Sequence, residues 1–574
     1  MGTDFASADP LPYDPAPMEF NLAQVNEAIS AAYPDREAFV WRDRRLTYGQ
    51  LAERTRRLAN VLLDAGFTVH RPRAELAGWE SGQDHLALYL YNGNEYIEGM
   101  LGAYKARVAP FNVNYRYVEE ELRYLLDDAG ARGIIYHSTF APVLQRVRAD
   151  LPHLELLLQV EDESGEELLP DAVWYEEALA AASPERPDVE WSPDDLYILY
   201  TGGTTGMPKG VLWRQADIFP AALGGRDLAT TEEWPDLEAL VANAANGGAK
   251  LMPCPPFMHG AAHWMAFTAL AWGNTIVLPR NTRTLDAADV WSVISEEQVN
   301  IVLIVGDAFG RPLLDELDRN REAADAGLEP AYDLSSLLML VSGGAALSAP
   351  VKNAFLARIP SMAIMDGLGS SETGQQATQI SAAGADATTG TFTPGPGMCL
   401  VSEDLTRVID PSSTEPGWLA QRGRVPLGYL GDRAKTEKTF PVIDGVRYSV
   451  PGDRARYRPD GLLELFGRDS VTINSGGEKI FAEEVEQALA HHPAVYDVVV
   501  TGRPSERWGN EVVAVVQLRP GFEASIADLL EVCEAHIARY KLPKDIVFVD
   551  KIVRSPAGKA DYRWAREQAE AARR

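Results

Sequence analysis

A chain of 574 residues is longer than one hydrophobic core ordinarily supports, so the sequence predicts several domains or subdomains. Its formal net charge of −30 argues against nucleic acid or an anionic membrane surface as the main partner, because both attract positively charged faces. The three cysteines, Cys254, Cys399 and Cys533, lie far apart, which argues against a disulfide framework or a zinc site and fits a reducing cytoplasm.

The first 19 residues are acidic and rich in proline, with no basic or apolar run, and we interpret residues 1–19 as a loose leading segment, not a signal peptide. The most membrane-like stretch, residues 261–278, contains polar residues and a Gly-Asn turn signal. A buried helix followed by a buried strand is therefore expected there, and no transmembrane segment.

From residue 20 to about residue 135 the apolar spacing alternates between helix and strand. "LTYGQLAERTRRLANVLLDAG" predicts a helix, "HLALYLYN" a strand, and "VEEELRYLLDDAGARGIIYH" a further helix–strand unit. The alternation returns at residues 284–306 and 333–348. Alternating helices and strands predict an α/β fold with parallel sheets covered on both faces. After residue 394, short segments rich in Gly, Pro and Asp predict a small β-rich module, and a compact α+β region begins near residue 470.

A glycine-rich stretch, "YTGGTTGMPKG" at residues 200–210, lies between two predicted buried strands. Glycine N–H groups can wrap an anion, threonine hydroxyls add donors, and Lys209 adds positive charge, so the stretch predicts a phosphate-binding hairpin. It is not a P-loop, because the lysine is followed by Gly210 instead of Ser or Thr. An ordinary turn is the alternative for this loop taken alone.

Five further segments carry candidate functional residues: "VSGGAALS" (341–348), "MDGLGSSETG" (365–374), "YSVPGDRARY" (448–457), "FGRDSVTINSGGEKIFAEEVE" (466–486) and "SPAGKADYRW" (555–564). Taken singly, Glu372 and Asp453 could be turn or cap residues and Lys559 a solvated lysine. Taken in order, the segments resemble the adenylate-forming superfamily of acyl-CoA synthetases, firefly luciferases and peptide-synthetase adenylation domains, over residues 20–564. Within it they are most similar to actinobacterial synthetases that activate steroid side-chain or fatty acids.

The resemblance implies a large N-terminal adenylation domain, residues 20–469, of two αβ-layered subdomains plus a small β-rich subdomain, followed by a small mobile α+β C-terminal domain, residues 470–574. The resemblance also implies an ATP-dependent acyl-CoA synthetase of the cytoplasm. Such an enzyme would use ATP and Mg²⁺ as cofactors and coenzyme A as a substrate. A carboxylate attacks ATP to give an acyl-adenylate and pyrophosphate, and the CoA thiol then displaces AMP. Three alternative functions remain open: a ligase with a non-CoA acceptor, an aryl-CoA ligase, and a non-catalytic nucleotide-binding protein. A homodimeric state also remains open.

The resemblance further implies roles for single residues. Thr204 and Glu372 would hold Mg²⁺, Lys559 would bridge the carboxylate and the α-phosphate, and His259 would face both. The expected nucleotide-binding residues are Thr201, Gly202, Gly203, Thr204, Thr205, Gly206, Lys209, Gly343, Gly344, Ala345, Asp366, Gly367, Ser371, Asp453, Arg468 and Asn474. The expected CoA-binding residues are Ser475, Gly476, Gly477 and Lys479. For His259 the alternative is a satisfied core histidine.

Three positions depart from the family pattern. Leu368 stands where many relatives place an aromatic ring on the adenine, Ser470 stands at the usual Asp or Lys pivot, and Asn474 replaces a frequent lysine. Aliphatic packing at Leu368 predicts weaker adenine contact, since aromatic stacking contributes about 0.5–1.5 kcal/mol beyond buried area.

The acyl site is expected between residues 257–264 and residues 305–311, with Gly343 to Ala345 nearby. Its predicted members are His259, Gly260, Ala261, His263, Trp264, Gly306 and Gly310. The segments "FMHGAAHW" and "VGDAFGRPL" offer small residues and few charges, which favours a bulky apolar acid, such as a steroid side-chain acid or a medium- or long-chain fatty acid, over acetate or an amino acid. An amino acid would require a carboxylate facing its ammonium group, and the segments offer no clear candidate.

Overall fold

The computed structural model describes residues 19–203, 206–468, 471–475, 478–505, 509–555 and 558–572. The first part of the chain contains helices α1 (Leu22–Ala32), α2 (Tyr48–Asp64), α3 (Asn94–Lys105), α4 (Glu119–Asp128), α5 (Ala141–Val147) and α6 (Tyr175–Ala181), and strands β1 (Glu37–Trp41), β2 (Arg44–Thr47), β3 (His85–Tyr89), β4 (Ala109–Asn112), β5 (Ala131–His137), β6 (Leu156–Val160) and β7 (Ala172–Trp174). Strands β4-β3-β5-β6-β7 form a parallel sheet in that order.

The helix predicted around residues 46–66 shows why these elements form where they do. Thr47 and Gln50 form a reciprocal capping box at the start of α2, which satisfies N–H groups that the first helical turn leaves open. The helix ends just before Gly66, whose φ of +79° places it in the left-handed region that favours glycine. The prediction from apolar spacing and the closing glycine is confirmed.

The central part contains strands β8 (Leu196–Gly203), β9 (Gly206–Arg214), β10 (Lys250–Pro253), β11 (Thr275–Val277), β12 (Ile301–Ile304), β13 (Met339–Gly343), β14 (Ala363–Ser370) and β15 (Gly374–Ser381), and helices α7 (Gln215–Ala222), α8 (Leu237–Ala244), α9 (Gly260–Ala271), α10 (Ala287–Glu297), α11 (Gly306–Asp325) and α12 (Ala349–Arg358). Strands β14-β13-β12-β10-β11-β1 pair in parallel, and β15 and β2 pair in antiparallel fashion with β14 and β1. A second αβ-layered unit therefore stands beside the first.

Antiparallel strands dominate residues 391–468. This part contains β16 (Thr391–Pro394), β17 (Met398–Val401), β18 (Val408–Ile409), β19 (Gly417–Arg422), β20 (Gly428–Tyr429), β21 (Val442–Ile443), β22 (Val446–Ser449), β23 (Asp453–Tyr457), β24 (Leu463–Arg468) and helix α13 (Arg433–Thr439). Strand β20 pairs with β9, and β16 joins the antiparallel strands to β15. The predicted β-rich module is confirmed.

The last part contains β25 (Thr472–Ser475), β26 (Glu478–Phe481), β27 (Val495–Ser505), β28 (Gly509–Leu518), β29 (Asp545–Phe548), and helices α14 (Ala482–Leu489), α15 (Ile526–Glu534) and α16 (Tyr562–Ala571). Its strands form a separate sheet with its own core, which confirms a small α+β region after the β-rich module. The boundary at residues 469 and 470 lies outside the described residues and stays a prediction. Within the described ranges, no helix is both long enough and apolar enough to cross a membrane.

Candidate active site

One cavity of about 2370 Å³ lies between helices α7 and α9 on one side and strands β10 and β12–β15 on the other. It reaches the loop before α16. Single-ligand pockets typically measure about 300–1,000 Å³, so this cavity has room for more than one ligand. Predicted site residues that line it are Thr201, His259, Gly260, Ala261, Trp264, Gly343, Gly344, Gly367, Ser371 and Lys559.

The predicted phosphate loop is the turn between β8 and β9. Register pairs Thr201 with Lys209 and Gly203 with Gly206, while Thr204 and Thr205 lie outside the described residues. Nζ of Lys209 lies 3.7 Å from Oδ2 of Asp432. Partial burial alone would lower the pKa of Lys209, but the Tyr124 hydroxyl and nearby carboxylates outweigh it, and the pKa is raised. The ammonium group is therefore charged at neutral pH.

Asn112 ties this hairpin to the segment that carries His259. Its Nδ2 donates to the carbonyl oxygens of Tyr200 and Met258, both at 2.8 Å, and its Oδ1 accepts from the Tyr200 N–H at 2.7 Å. The buried amide thus fixes both segments at one end of the cavity. The sequence analysis did not identify Asn112.

Glu372 lies on the connection between β14 and β15. Side chains from three other segments form hydrogen bonds with this connection. Oε1 of Glu372 accepts from the Tyr429 hydroxyl at 2.9 Å, its carbonyl oxygen accepts from Ser449 Oγ at 2.6 Å, and the Trp213 indole donates to the carbonyl oxygen of Ser371 at 2.9 Å. Nζ of Lys435 lies 4.0 Å from the centre of the Tyr429 ring. Burial lowers the pKa of Lys435, and the charge of Glu372 opposes that shift.

His259 is the N-cap residue of α9. Its Nε2 atom is buried and has no hydrogen-bond partner among the described residues. Burial, then the positive charge of Lys559, and smaller effects of His263 and Arg116 lower the pKa of His259 to about 3. The imidazole is therefore neutral at neutral pH, and Lys559 lies close enough to influence it.

The loop that carries Lys559 packs against the start of α11. Gly558 has a φ of +69°, and a Cβ atom there would lie 3.1 Å from Val305 Cγ1 and from the Val305 carbonyl oxygen. Glycine is therefore required by both the backbone conformation and the close approach. Ser555 closes the loop, because its N–H donates to the Lys559 carbonyl oxygen at 2.8 Å and its Oγ accepts from the Lys559 N–H at 3.2 Å. This packing brings the Lys559 loop to the cavity.

The remaining predicted nucleotide and CoA residues are only partly described. Parallel pairing sets Gly343 beside Gly367, and antiparallel pairing sets Asp453 opposite Arg468. Asn474 pairs with Lys479 across the β25–β26 hairpin and Ser475 is buried, whereas Gly476 and Gly477 lie outside the described residues. Leu368 lines the cavity, as expected for the residue in the place of an aromatic ring.

Asp366 differs from its expected position. Its carboxylate forms an ion pair with Lys352, which is fully buried and also donates to Gln379 Oε1 at 2.8 Å and to the Thr388 carbonyl oxygen at 2.7 Å. Asp366 is not among the residues that line the cavity, and Lys352 engages the carboxylate that was expected to contact adenine.

Three predicted acyl-site residues also lie elsewhere. His263 Nδ1 donates to the Phe257 carbonyl oxygen at 2.7 Å, and its Nε2 accepts from the Tyr197 hydroxyl in the core. A Cβ atom on Gly310 would lie 2.9 Å from Val351, so Gly310 faces α12. Gly306 has a φ of +52° and approaches the backbone of Ala346. The corresponding wall is formed by Val305 and by cavity-facing α9 positions.

Comparison with known proteins identifies the family. A profile described as "AMP-binding enzyme" matches residues 26–430, and "AMP-binding enzyme C-terminal domain" matches residues 484–559. The chain belongs to the AMP-binding enzymes. The predicted membership of the adenylate-forming superfamily is thereby confirmed.

Similarity to individual AMP-binding enzymes extends over nearly the whole chain. The chain is 55% identical to a medium-chain acyl-CoA ligase, Mig, of Mycobacterium avium over 96% of this chain and 98% of the relative. It is 40% identical to a 3-oxocholest-4-en-26-oate–CoA ligase of Rhodococcus rhodochrous over 96% of each chain. A solved structure of the anthranilate CoA ligase AuaEII with anthranoyl-AMP has a TM-score of 0.79 at 23% identity, covering 97% of this chain and 98% of that chain. That likeness supports the fold.

Proposed function

We propose that this AMP-binding enzyme is an ATP-dependent, AMP-forming acyl-CoA ligase for a long apolar carboxylic acid. The observation that carries the proposal is a continuous cavity, because it joins a polar end formed by Thr201, His259, Ser371 and Lys559 to an apolar wall along α9. The acyl-CoA ligases to which the chain is 40% and 55% identical support the same reaction and an apolar acid.

At the polar end, the turn between β8 and β9 would hold the β- and γ-phosphates of ATP through backbone N–H groups and Lys209. Lys559 would lie between the attacking carboxylate and the α-phosphate, where a compact charge stabilises the developing negative charge. Neutral His259 would donate or accept a hydrogen bond there without adding a second positive charge beside Lys559. The carboxylate oxygen bonds to the α-phosphorus, and pyrophosphate leaves.

Glu372 and Thr204 would hold Mg²⁺. The chemistry of Glu372 fits, because Mg²⁺ prefers oxygen ligands and is commonly held by one or two carboxylates together with substrate phosphates and waters. When bound, Mg²⁺ neutralises phosphate charge.

In the second half-reaction, the CoA thiol attacks the acyl carbon and AMP leaves with the bonding electrons. Ser475, Gly476, Gly477 and Lys479 would contact CoA, and Asp453 and Arg468 the ribose. We also propose the division at residues 469 and 470, with movement of the C-terminal domain between half-reactions. The three free cysteines support a cytoplasmic location.

The test is a panel of acids assayed for pyrophosphate release with and without CoA. The panel contains fatty acids of several lengths, steroid side-chain acids, bile acids and aryl acids. We expect pyrophosphate release with apolar acids and CoA-dependent formation of AMP and thioester. Release of AMP that does not respond to CoA would instead support a ligase with another acceptor, and release only with aryl acids would support an aryl-CoA ligase.

A further inference from the structure

The acyl part of the cavity follows α9 along its whole length. The lining positions on α9 and its caps are His259, Gly260, Ala261, Trp264, Met265, Thr268 and Trp272. From Ala261 onward, the positions Ala261, Trp264, Thr268 and Trp272 recur at intervals of three to four residues, so they form one face of the helix. At about 1.5 Å per residue, the face extends roughly 20 Å from His259 to Trp272.

The two ends of this face differ. Helix α9 connects the parallel strands β10 and β11, so it runs antiparallel to them. His259 therefore lies at the carboxyl ends of the strands, with the polar residues. Trp272 lies at the other end, together with the first residues of β12 and β13, Ile301 and Met339, which also line the cavity.

Trp272 is fixed at that far end. Its indole nitrogen donates to the Gly224 carbonyl oxygen at 2.8 Å. Gly224 has a φ of +91°, and a Cβ atom on it would lie 3.1 Å from Trp272 Nε1 and 3.1 Å from Thr268 Cα. The backbone of Gly224 thus packs directly against the indole, so the ring is held by both a hydrogen bond and close packing.

We propose that Trp272 closes the far end of the acyl site and sets the longest chain that the enzyme accepts. The inference rests on the proposed function, because it places the acid's carboxylate beside His259 and Lys559. A staggered hydrocarbon chain with bonds of about 1.5 Å advances roughly 1.3 Å per carbon. The length from His259 to Trp272, less the space of the indole, fits straight acids of about 12–14 carbons, and ring-bearing acids of the same overall length.

The experiment measures kcat/KM for even-numbered fatty acids from octanoate to octadecanoate, below their micelle concentrations, in three variants. Trp272→Ala opens the end, and Thr268→Leu adds bulk one helical turn nearer to His259. Trp234→Phe is the matched control, because the Trp234 indole donates to the same Gly224 carbonyl oxygen at 3.1 Å but is not among the residues that line the cavity.

Each additional buried methylene group changes kcat/KM by roughly fourfold. Room for two more carbons should therefore raise the ratio of hexadecanoate to dodecanoate by about tenfold or more in Trp272→Ala. Thr268→Leu should shift the preference in the opposite direction, and Trp234→Phe should keep the wild-type ratio. In the wild type, pyrophosphate should be released only when a fatty acid is present, at every chain length tested.

An equal change at every chain length in Trp272→Ala, or the same ratio shift in Trp234→Phe, would overturn the role of Trp272. If Trp272→Ala does not fold, as judged by its thermal melting curve, Thr268→Leu decides, and an unchanged preference there overturns the inference. Absence of acid-dependent pyrophosphate release in the wild type would overturn the proposed function itself.

Discussion

The two ends of the cavity are built in different ways. The polar end consists of loops that follow strands, and hydrogen bonds from distant residues fix them, as Asn112 fixes Tyr200 and Met258. The acyl end consists of side chains from the middle of α9 and of strands β10 and β12–β14. Changes at the polar end should therefore alter the rate with every acid, whereas changes at the acyl end should alter the choice of acid.

The junction between the two ends is the first turn of α9. His259 lies beside the charge of Lys559, and Trp264, one turn further on, donates from its indole to the Tyr197 hydroxyl at 2.8 Å. Tyr197 also donates to His263, so a buried network holds this turn. The acid's reacting carboxylate and its apolar body are thus positioned by one rigid element, which makes the separation of the two ends testable.

The largest effect is expected from Lys559→Ala at the polar end. Loss of a charge that stabilises the transition state typically costs about 10²–10³-fold in rate, so acid-dependent pyrophosphate release should fall by that amount with every acid. Thioester formation from supplied acyl-adenylate should be affected much less, because that half-reaction forms no pyrophosphate. Single-turnover assays of the two half-reactions measure the difference.

Lys551→Ala is the control for the charge change, since Lys551 is exposed in the same part of the chain and is not a lining residue. It should leave both half-reactions near the wild-type rate. Equal losses in both half-reactions of Lys559→Ala would contradict the assignment of Lys559 to adenylation.

A smaller loss, about 10²-fold, is expected from Glu372→Gln, which removes an anionic ligand and keeps its shape. The loss should again be independent of the acid, and raising the Mg²⁺ concentration should partly restore the rate. Tyr429→Phe removes the hydrogen bond to Glu372 but keeps the charge, so it should cost only about fivefold, the worth of an ordinary hydrogen bond. A near wild-type rate of Glu372→Gln at ordinary Mg²⁺ would remove Glu372 from the metal site.

His263 should make the junction sensitive to acid. Burial, partly offset by the hydrogen bond to Phe257, lowers the pKa of His263 to about 4. In the unfolded chain the pKa is about 6.5, so the unfolded state binds more protons between those values. The stabilisation is therefore complete above about pH 6.5 and is lost as the pH falls toward 4, by about 2 kcal/mol between pH 7 and pH 5.

Urea unfolding curves at pH 7 and pH 5 measure this dependence in the wild type and in His263→Gln. The variant cannot gain the proton, so its loss of stability between the two pH values should be smaller by about 2 kcal/mol. An identical pH dependence in both proteins would show that His263 does not titrate on unfolding.

The glycine-rich segments of the polar end are visible in the sequence, whereas the lining face of α9 is not, for physical reasons. Close approach of backbone to a ligand requires glycine locally, so Gly343 and Gly344 are visible in a short segment, and both line the cavity. Helix α9, "GAAHWMAFTALA", is apolar nearly all round, so its periodicity does not mark one face, and His263 was placed on the wrong side. The ion pair of Asp366 with Lys352 joins strand β14 to helix α12, and a local motif around Asp366 does not reveal it. Asn112 and Tyr429 act from distant elements, which no local motif reveals.

An effect confined to the acyl end is expected from Ala261→Leu. Ala261 lines the cavity, so a leucine at this position would occupy part of the cavity. A fused-ring acid requires width at this level, whereas a straight acid requires only length. Overpacking typically costs about 1–3 kcal/mol, and each 1.36 kcal/mol is tenfold, so the ratio of kcat/KM for a steroid side-chain acid to that for a fatty acid should fall about tenfold or more.

Ala262→Val is a suitable comparison, because Ala262 is fully buried in the core and is not a lining residue. If Ala261→Leu lowers both values equally, then this wall does not select by width. If the wild type does not use steroid acids, the enzyme selects by length alone, and the acyl end is a narrow channel for fatty acids.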